Sequence, residues 1–190
     1  VEKSELSHGH LNSCKTGLCT TFDGSDELYL DCGTSNDFII NTGTRSLWFN
    51  AASDIVDNGN RLIEIGKSDA SERIGLIWSS SSLNLHSFKG GVELVNLSSQ
   101  ALATNTWYYA VATWDNAGAS IYIKKAGLNY ANGVVGDMRL DLPLDATKMY
   151  IGNAINNSSG HTWSGHLDDI RIYNRVLSTN EIQAIYDSLK

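Results

Sequence analysis

The residues around Trp78 combine side-chain types that bind sugars. Trp78 stands in the stretch "RIGLIWSSSSLNLHSF", in which the run of four serines has the length of a hairpin turn, and Arg73, His86 and Lys89 lie nearby in sequence. Proteins hold sugars by stacking aromatic rings on them and by hydrogen-bonding their hydroxyls with polar side chains. Trp78, Arg73 and His86 are therefore candidate ligand-binding residues. A Trp78 that caps a hydrophobic core is the alternative.

The length of 190 residues lies within the range of one large all-β domain, so we expect a single folded domain over residues 1–190. As an isolated module we expect it to be monomeric. Hydrophobic residues make up 42% and charged residues 18%, with 17 Gly and a single Pro. The formal net charge of −7 argues against nucleic acid as a partner, because a protein that neutralises phosphates needs a basic surface. No apolar run approaches the roughly 20 residues that cross a bilayer, so we expect no membrane insertion.

Two of the three cysteines have a spacing that suits a disulfide. Cys14 and Cys19 bracket "KTGL" just before a predicted strand and can close a small loop, which leaves Cys32 reduced. Such a bond favours a secreted or cell-surface protein. Three buried thiols are the alternative, and the scattered cysteines and histidines show no zinc-ligand spacing.

Short β-type runs separated by Gly, Asn, Asp and Ser clusters recur along the whole chain. This spacing is typical of an antiparallel β-sandwich. In "WYYAVATWD", from Trp107 to Asp115, both alternate sets of residues are apolar or aromatic, so the strand should be central and covered on both faces. Tyr108 or Tyr109 is a second candidate ligand contact, depending on which face of this strand lines the concave surface.

The sequence predicts a helix only at the end of the chain. Ser178 and Glu181 form a predicted capping box, and Leu177 and Ile182 a hydrophobic staple. The apolar spacing continues through Ile185 to Leu189, so one stripe of the helix should pack against the sandwich.

With these patterns in view, the chain resembles the concanavalin A-like lectin/glucanase superfamily, in its laminin-G-like jelly-roll branch. Three stretches carry the resemblance: "FDGSDELYLD" (22–31), "TWYYAVATWD" (106–115) and "MYIGNA…WSGHLDDIRIYNRVLSTNEIQAIYD" (149–187). The closing stretch is the most specific of the three. The resemblance implies a jelly-roll sandwich with one short C-terminal helix.

The resemblance also implies a structural Ca²⁺ site. An aspartate at the start of the last strand often binds the ion in this superfamily, and Asp168 matches it, with Asp23, the Gly24 carbonyl and Asp26 as partners. Mixed carboxylate and carbonyl oxygens are suitable, because Ca²⁺ takes six to eight oxygen ligands. The alternative is that Asp168 and its neighbour Asp169 pair with nearby arginines or backbone amides.

Catalysis is not expected. Glucanases of this fold carry their carboxylates on one strand as Glu-x-Asp-x-(x)-Glu, and the chain has no such pattern. The motifs of jelly-roll lyases, phosphate loops and metal hydrolases are likewise not found in the sequence.

These observations favour a non-catalytic carbohydrate-binding module of an exported polysaccharide-degrading enzyme or surface protein. Trp107, Trp114 and Trp163 fall on positions that the family pattern makes aromatic, and Trp48 lies in an apolar strand, so the core accounts for all four. Trp78 remains as the best candidate for a ligand-facing ring. The alternative function is a laminin-G-like adhesion or protein-interaction domain without sugar specificity.

Overall fold

The computed structural model describes residues 14–15, 19–25, 30–34, 41–56, 58–67, 69–135, 147–156 and 160–189; of residues 30–34, 134, 135 and 147 only the backbone is described. This part of the chain contains twelve strands and one helix. The strands are β1 Thr20–Asp23, β2 Leu30–Thr34, β3 Gly43–Ala51, β4 Asn60–Lys67, β5 Arg73–Ser79, β6 Ser82–Lys89, β7 Val92–Ser98, β8 Tyr108–Trp114, β9 Gly118–Lys125, β10 Leu128–Val135, β11 Thr147–Ile151 and β12 Ser164–Tyr173. The helix is α1 Thr179–Leu189.

The strands form two six-stranded sheets. Sheet A has the order β1-β12-β3-β8-β9-β10, and sheet B has the order β2-β11-β4-β5-β6-β7. Neighbouring strands pair antiparallel throughout. The predicted antiparallel sandwich with a single short C-terminal helix is confirmed.

Strand β8 is buried on both faces, as predicted from its sequence. Tyr108, Ala110, Ala112 and Trp114 turn toward sheet B and join the main core, whereas Tyr109 and Val111 turn to the other side. The strand lies between β3 and β9, so no sheet edge exposes it. Alternation of side chains along a strand explains how one segment supplies two separate hydrophobic clusters.

Helix α1 covers the outer face of sheet A, which is the face turned away from sheet B. Ser178 caps the helix: its Oγ accepts a hydrogen bond from Glu181 N–H at 3.3 Å, and Glu181 Oε2 accepts one from Ser178 N–H at 2.8 Å. Leu177 and Ile182 pack in one cluster with Trp48 of β3. The predicted capping box and apolar stripe are therefore both present.

The cysteine prediction can be compared with the structure only in part. Cys14 and Cys19 form a disulfide, with their Cα atoms 5.2 Å apart. Cys32 lies in β2, and its side chain is outside the described part of the chain.

Candidate functional site

Trp78 lies in the hydrophobic core, so the prediction that its ring faces a ligand is wrong. The residue is 1% exposed. Its ring meets Phe49 and Trp163 edge-on, at centroid distances of 6.3 and 6.4 Å. Alternation along β5 is the cause, because Ile74, Leu76 and Trp78 share the face that turns toward sheet A. The core-capping alternative describes Trp78 correctly.

Tyr108 and Tyr109 are buried as well, and the prediction that one of them contacts a ligand is wrong. Tyr108 stacks on Phe49 between the sheets with ring centroids 5.6 Å apart, and its hydroxyl accepts a hydrogen bond from Ala103 N–H at 3.1 Å. Tyr109 is 0% exposed beneath the helix, where burial raises its pKa to about 12. Because both rings are enclosed by protein, neither can stack on a sugar.

Arg73 and His86 lie side by side on the outer face of sheet B, the face turned away from sheet A. The Arg73 guanidinium carbon is 3.8 Å from the centroid of the Phe88 ring, and His86 packs edge-on to the same ring at 4.4 Å. His86 Nε2 is 3.7 Å from Glu93 Oε1, which is longer than a hydrogen bond. Burial, followed by the charges of Arg73 and Arg61, lowers the pKa of His86 to about 4.

Glu64 neutralises the arginines on this face. Its carboxylate is buried, with Oε1 3.3 Å from Arg61 Nε and 3.4 Å from Arg73 Nε. Its second oxygen accepts a hydrogen bond from Ile155 N–H at 2.7 Å. Since two cations and a backbone donor converge on one carboxylate, Arg73 supports the fold here. The predicted pair of Arg73 and His86 is thus brought together, but sheet B separates it from Trp78.

The strand register separates Asp168 from the other predicted calcium ligands. Asp23 in β1 pairs with Ser164 in β12, whereas Asp168 stands four residues further along β12 and pairs with Trp48. At about 3.3 Å per residue, four positions span about 13 Å. Ca²⁺ binds its oxygens at only about 2.4 Å. The prediction that Asp168 joins Asp23 at one ion is therefore wrong, and Asp26 lies outside the described residues.

The adjacent aspartates stand at an irregularity in β12. The register with β3 shifts between Asp168 and Arg171, and Asp169 has a left-handed φ of 47°. Aspartate tolerates this conformation better than most residues. The Asp169 carboxylate accepts hydrogen bonds from Arg171 Nε at 2.8 Å and from Arg171 Nη2 at 3.0 Å. The ion-pair alternative is therefore correct for Asp169.

Asp23 and Gly24 instead line a pocket at the rim of the sandwich, with a cavity volume of about 240 Å³. The Gly24 carbonyl accepts a hydrogen bond from Thr162 Oγ1 at 2.6 Å, and the Thr162 carbonyl accepts one from Asn60 Nδ2 at 2.6 Å. Backbone and side-chain oxygens from distant segments therefore meet here. The lining residues of this rim pocket are Asp23, Gly24, Asp54, Val56, Asn58, Asn60, Gly160, Thr162 and Ser164.

The rim pocket has the donor types that a hard cation prefers. Its two carboxylates belong to Asp23 and Asp54, and amide and carbonyl oxygens surround them. A hydrogen bond from Ser25 N–H, 2.9 Å from Asp23 Oδ1, lowers the pKa of Asp23. No group of three or more Asp, Glu, His or Cys residues with metal-binding geometry occurs among the described residues. Asp54 was missed in the sequence because it follows β3, far from the motif that predicted the site.

A second cleft lies between helix α1, the turn after β9 and the disulfide loop. We call it the helix cleft; its cavity volume is about 500 Å³, within the range of small-molecule sites. It combines aromatic, basic, amide and carboxylate side chains. The lining residues are Lys15, Trp48, Trp107, Lys125, Ala126, Gly127, Gln183, Tyr186 and Asp187.

Trp107 and Tyr186 supply the partly exposed aromatic surface of the helix cleft. Trp107 precedes β8, and its ring stacks on the His166 imidazole with centroids 6.1 Å apart. Tyr186 stands on the helix and stacks on Trp48 at 5.6 Å. Each ring is thus held from one side by a buried or half-buried neighbour, which fixes its orientation in the cleft wall.

Trp48 lines the cleft with its indole N–H buried. The residue is 2% exposed, and its Nε1 has no hydrogen-bond partner among the described residues. The same holds for Nε1 of Trp163 in the core, so an unpaired indole N–H does not by itself mark a ligand site. Lys15 Nζ stands 4.5 Å from the centroid of the Trp48 ring.

The polar groups of the helix cleft come from one helical face. Gln183 and Asp187 are four residues apart on α1, so they are neighbours on its surface. Lys124 Nζ donates hydrogen bonds to Gln183 Oε1 at 2.9 Å and to Asn129 Oδ1 at 2.7 Å. Because its oxygen is held by Lys124, Gln183 can present its amide N–H groups to a ligand.

A laminin G-type family model, described as the concanavalin A-like lectin/glucanases superfamily, matches residues 22–183. The chain belongs to this superfamily. The match includes β8 and the start of the capped helix, and of the residues that line the helix cleft it leaves out Lys15, Tyr186 and Asp187. The resemblance read from the three sequence stretches is confirmed.

Several solved structures share the fold of this chain at low sequence identity. Domain 4 of AbnA, an extracellular GH43 arabinanase from Geobacillus stearothermophilus in complex with arabinotriose, is 16% identical, with a TM-score of 0.66 over 97% of this chain and 82% of that one. The Ruminococcus gnavus IT-sialidase CBM40 bound to α2,3-sialyllactose is 12% identical, with a TM-score of 0.64 over 85% and 98%. The LG1–3 region of the laminin α2 chain is 18% identical, with a TM-score of 0.63 over 80% and 30%.

No curated protein sequence matches the chain. Among the described residues, helix α1 is too short and too polar to span a membrane. At these identities the solved structures establish the fold. The role of the helix cleft has to be argued from its own residues.

The sequence contained a signal for the helix cleft that the family pattern obscured. Trp107 is an aromatic position of the family pattern, and Tyr186 belongs to the apolar stripe of the helix, so both were assigned to packing. They do pack, but each also leaves part of its ring exposed at the cleft. The available clue was a tryptophan directly before a strand whose outer face the helix covers.

Proposed function

We propose that the chain is a non-catalytic carbohydrate-binding module and that a saccharide binds in the helix cleft. The observation that carries the proposal is the partly exposed Trp107 ring beside the Gln183 amide and the Asp187 carboxylate at one cleft. The ring offers a face for the apolar side of a sugar ring. The amide and the carboxylate offer hydrogen-bond donors and acceptors for its hydroxyls.

The remaining lining residues fit the same ligand. Gln183 and Asp187 provide an amide and a carboxylate, which are the groups that bind sugar hydroxyls in both donor and acceptor roles. Trp48 stands on β3, Tyr186 stands on the helix, and Trp107 is held against His166 directly before β8. The aromatic groups are therefore positioned before a ligand arrives, and preorganisation lowers the entropic cost of binding.

We further propose that the module belongs to an exported protein that degrades or recognises polysaccharides. The disulfide between Cys14 and Cys19 is consistent with export. Two structures with this fold are modules of an extracellular arabinanase and of a sialidase, and they were solved with arabinotriose and sialyllactose. A laminin-G-like interaction domain without sugar specificity is the alternative outcome of the binding experiments.

Substitution of Trp107 tests the proposal. Trp107→Ala should weaken binding to the best saccharide of a glycan array by about 1–3 kcal/mol, because a stacking ring is removed. Phe88→Ala, which removes a partly buried ring from the outer face of sheet B, is the matched control and should bind as the wild type does. Isothermal titration calorimetry measures both. Weaker binding by Phe88→Ala but not by Trp107→Ala would indicate a site on sheet B. A wild type that binds no saccharide would favour the interaction domain.

We also propose that the rim pocket binds a structural Ca²⁺, with Asp23 and Asp54 as its carboxylates and the Gly24 carbonyl as a further oxygen. None of the described residues that line the pocket is a lysine or an arginine. The ion would therefore supply the positive charge that balances the oxygens of the pocket. A metal that binds only the folded state stabilises it by linkage.

A chelator tests the calcium proposal. Excess EDTA should lower the melting temperature of the wild type but not of Asp54→Ala. Asp69→Ala, an exposed aspartate of another loop, is the control and should keep the wild-type response to the chelator. Coincident melting curves for the wild type with calcium and with EDTA would exclude a structural ion.

A further inference from the structure

The helix cleft carries local positive charge in an acidic protein. Lys15 and Lys125 line it against the single carboxylate of Asp187, although the whole chain has a formal net charge of −7. Lys124 stands behind Gln183, where burial lowers its pKa and the charge of Asp187 raises it. The charge of Asp187 is therefore shared with Lys124, and the basic residues at the cleft outnumber its one carboxylate.

Lys15 is the lysine of this set that lies next to Trp48. Within the described residues no carboxylate lies at ion-pair distance from it, and its Nζ is held over the Trp48 ring at 4.5 Å. A cation over an indole keeps most of its charge available to an anion, because the ring supplies a quadrupole and no formal charge. Lys15 thus stands over the Trp48 ring, and no carboxylate among the described residues neutralises its charge.

The disulfide explains why a lysine near the N-terminus is held in place. Lys15 lies inside the loop that the bond between Cys14 and Cys19 closes, directly before β1 of sheet A. A closed loop restricts the backbone of Lys15, so less entropy is lost when its ammonium group binds a ligand. Lys125, at the end of β9, lines the same cleft and has its Nζ 5.2 Å from the centroid of the Tyr108 ring.

We infer that the helix cleft takes an acidic saccharide, and that Lys15 on the disulfide-closed loop binds its anionic group. The inference rests on the proposed function of the cleft and adds the class of sugar. The anion is a carboxylate, as in uronic and sialic acids, or a sulfate ester. Both pair with an ammonium group through charge-assisted hydrogen bonds, which are stronger than those of neutral sugars.

The experiment compares acidic saccharides with their own neutral forms. Uronic-acid oligosaccharides and sialyllactose are titrated beside their carboxyl-reduced forms, and sulfated oligosaccharides beside their desulfated forms. The tightest ligand should be acidic, and loss of its anion should weaken binding about tenfold or more, as expected for a charge-assisted contact. The carboxylate and sulfate arms show which anion is preferred.

Lysine variants test whether Lys15 is the residue that causes the preference for the acidic form. Lys15→Gln should remove most of the preference for the acidic form and keep the affinity for the neutral form. Lys148→Gln, on β11 of sheet B, is the matched control and should keep the full preference. Melting curves of all three proteins show whether any loss reflects unfolding.

The outcomes separate this inference from the proposed function. If neutral and acidic forms bind equally and Trp107→Ala weakens both, the cleft binds sugars but the inference is wrong. If Lys15→Gln keeps the full preference for the acidic form, Lys15 is not the selecting residue and the inference is also wrong. If the wild type binds none of the saccharides, both fail.

Discussion

The outer face of sheet B and the helix cleft on sheet A both combine aromatic rings with basic side chains, but their charges have different partners. On sheet B, Arg61 and Arg73 converge on the buried Glu64. In the helix cleft, Lys15 rests on an aromatic ring with no described carboxylate at ion-pair distance. Cations that are neutralised by their own fold stabilise it, whereas a cation without a counter-ion is available to a ligand.

The aromatic rings of the two regions differ in how much of their surface other side chains cover. Phe88 on sheet B is enclosed between the Arg73 guanidinium and His86, which contact it at 3.8 and 4.4 Å. Trp107 in the helix cleft stacks on His166 and lines an open volume. The type of residue therefore does not identify a binding site; what matters is which of its surfaces the protein leaves uncovered.

Trp78→Ala should have the largest effect, on stability. Removing a fully buried tryptophan leaves a cavity between the sheets and should lower the free energy of unfolding by about 3–5 kcal/mol. Urea unfolding measures the loss. At a temperature where the variant is folded, saccharide binding should be kept, because Trp78 contacts Phe49 and Trp163 and not the cleft. Normal stability with lost binding would restore Trp78 as a ligand contact.

Glu64→Gln tests whether the arginines on sheet B are neutralised by the fold. It leaves Arg61 and Arg73 without their common carboxylate and should cost about 3 kcal/mol of stability, as for a broken buried ion pair. Glu93→Gln, which changes a more exposed glutamate of the same face, is the control and should cost under about 0.5 kcal/mol. Equal effects of the two variants would show that burial of the network is unimportant.

The pH dependence of stability should report His86. Its pKa is about 4 in the folded protein and near 6.5 when unfolded, so the unfolded state binds more protons between these values. The free energy of unfolding should therefore fall, by about 1–2 kcal/mol, as the pH drops from 6.5 toward 4. His86→Gln should flatten this part of the curve. His166 also has a pKa lowered by burial, so the difference between wild type and variant is the relevant quantity.

Ser178→Ala should have the smallest effect on stability, about 1 kcal/mol, because one helix cap is lost. Binding in the helix cleft should weaken as well, since Tyr186 and Gln183 stand on that helix. The pH response of His86 on sheet B should be unchanged. Urea unfolding measures the loss of stability, and calorimetry measures saccharide binding. If the variant is less stable but binds saccharide as the wild type does, the helix has no role in the cleft.

Local patterns predicted the parts of the fold that depend on neighbouring residues. The capping box at Ser178 and the two apolar faces of β8 follow from spacings of two to four residues. Trp78 was placed wrongly because the serine turn drew attention to the hairpin tip. The two turn residues are Ser80 and Ser81, both with positive φ, and the alternation that begins at Ile74 places Trp78 in the core.

The sites depend on strand register and on contacts between distant segments, which the sequence does not display. Asp168 and Asp23 are separated by four positions of one antiparallel ladder. The helix cleft joins Lys15, Trp107 and Tyr186, which come from three parts of the chain and carry no common motif. Such assemblies become visible only when the topology is known.

The indole N–H signals of the five tryptophans test the central claim most directly. In a two-dimensional ¹H–¹⁵N spectrum, titration with the tightest saccharide should shift the Trp48 and Trp107 signals, which belong to the helix cleft. The signals of the core residues Trp78, Trp114 and Trp163 should stay in place. Unmoved Trp48 and Trp107 signals, with shifts instead at the backbone amides of Gly75 and His86 on sheet B, would contradict the account.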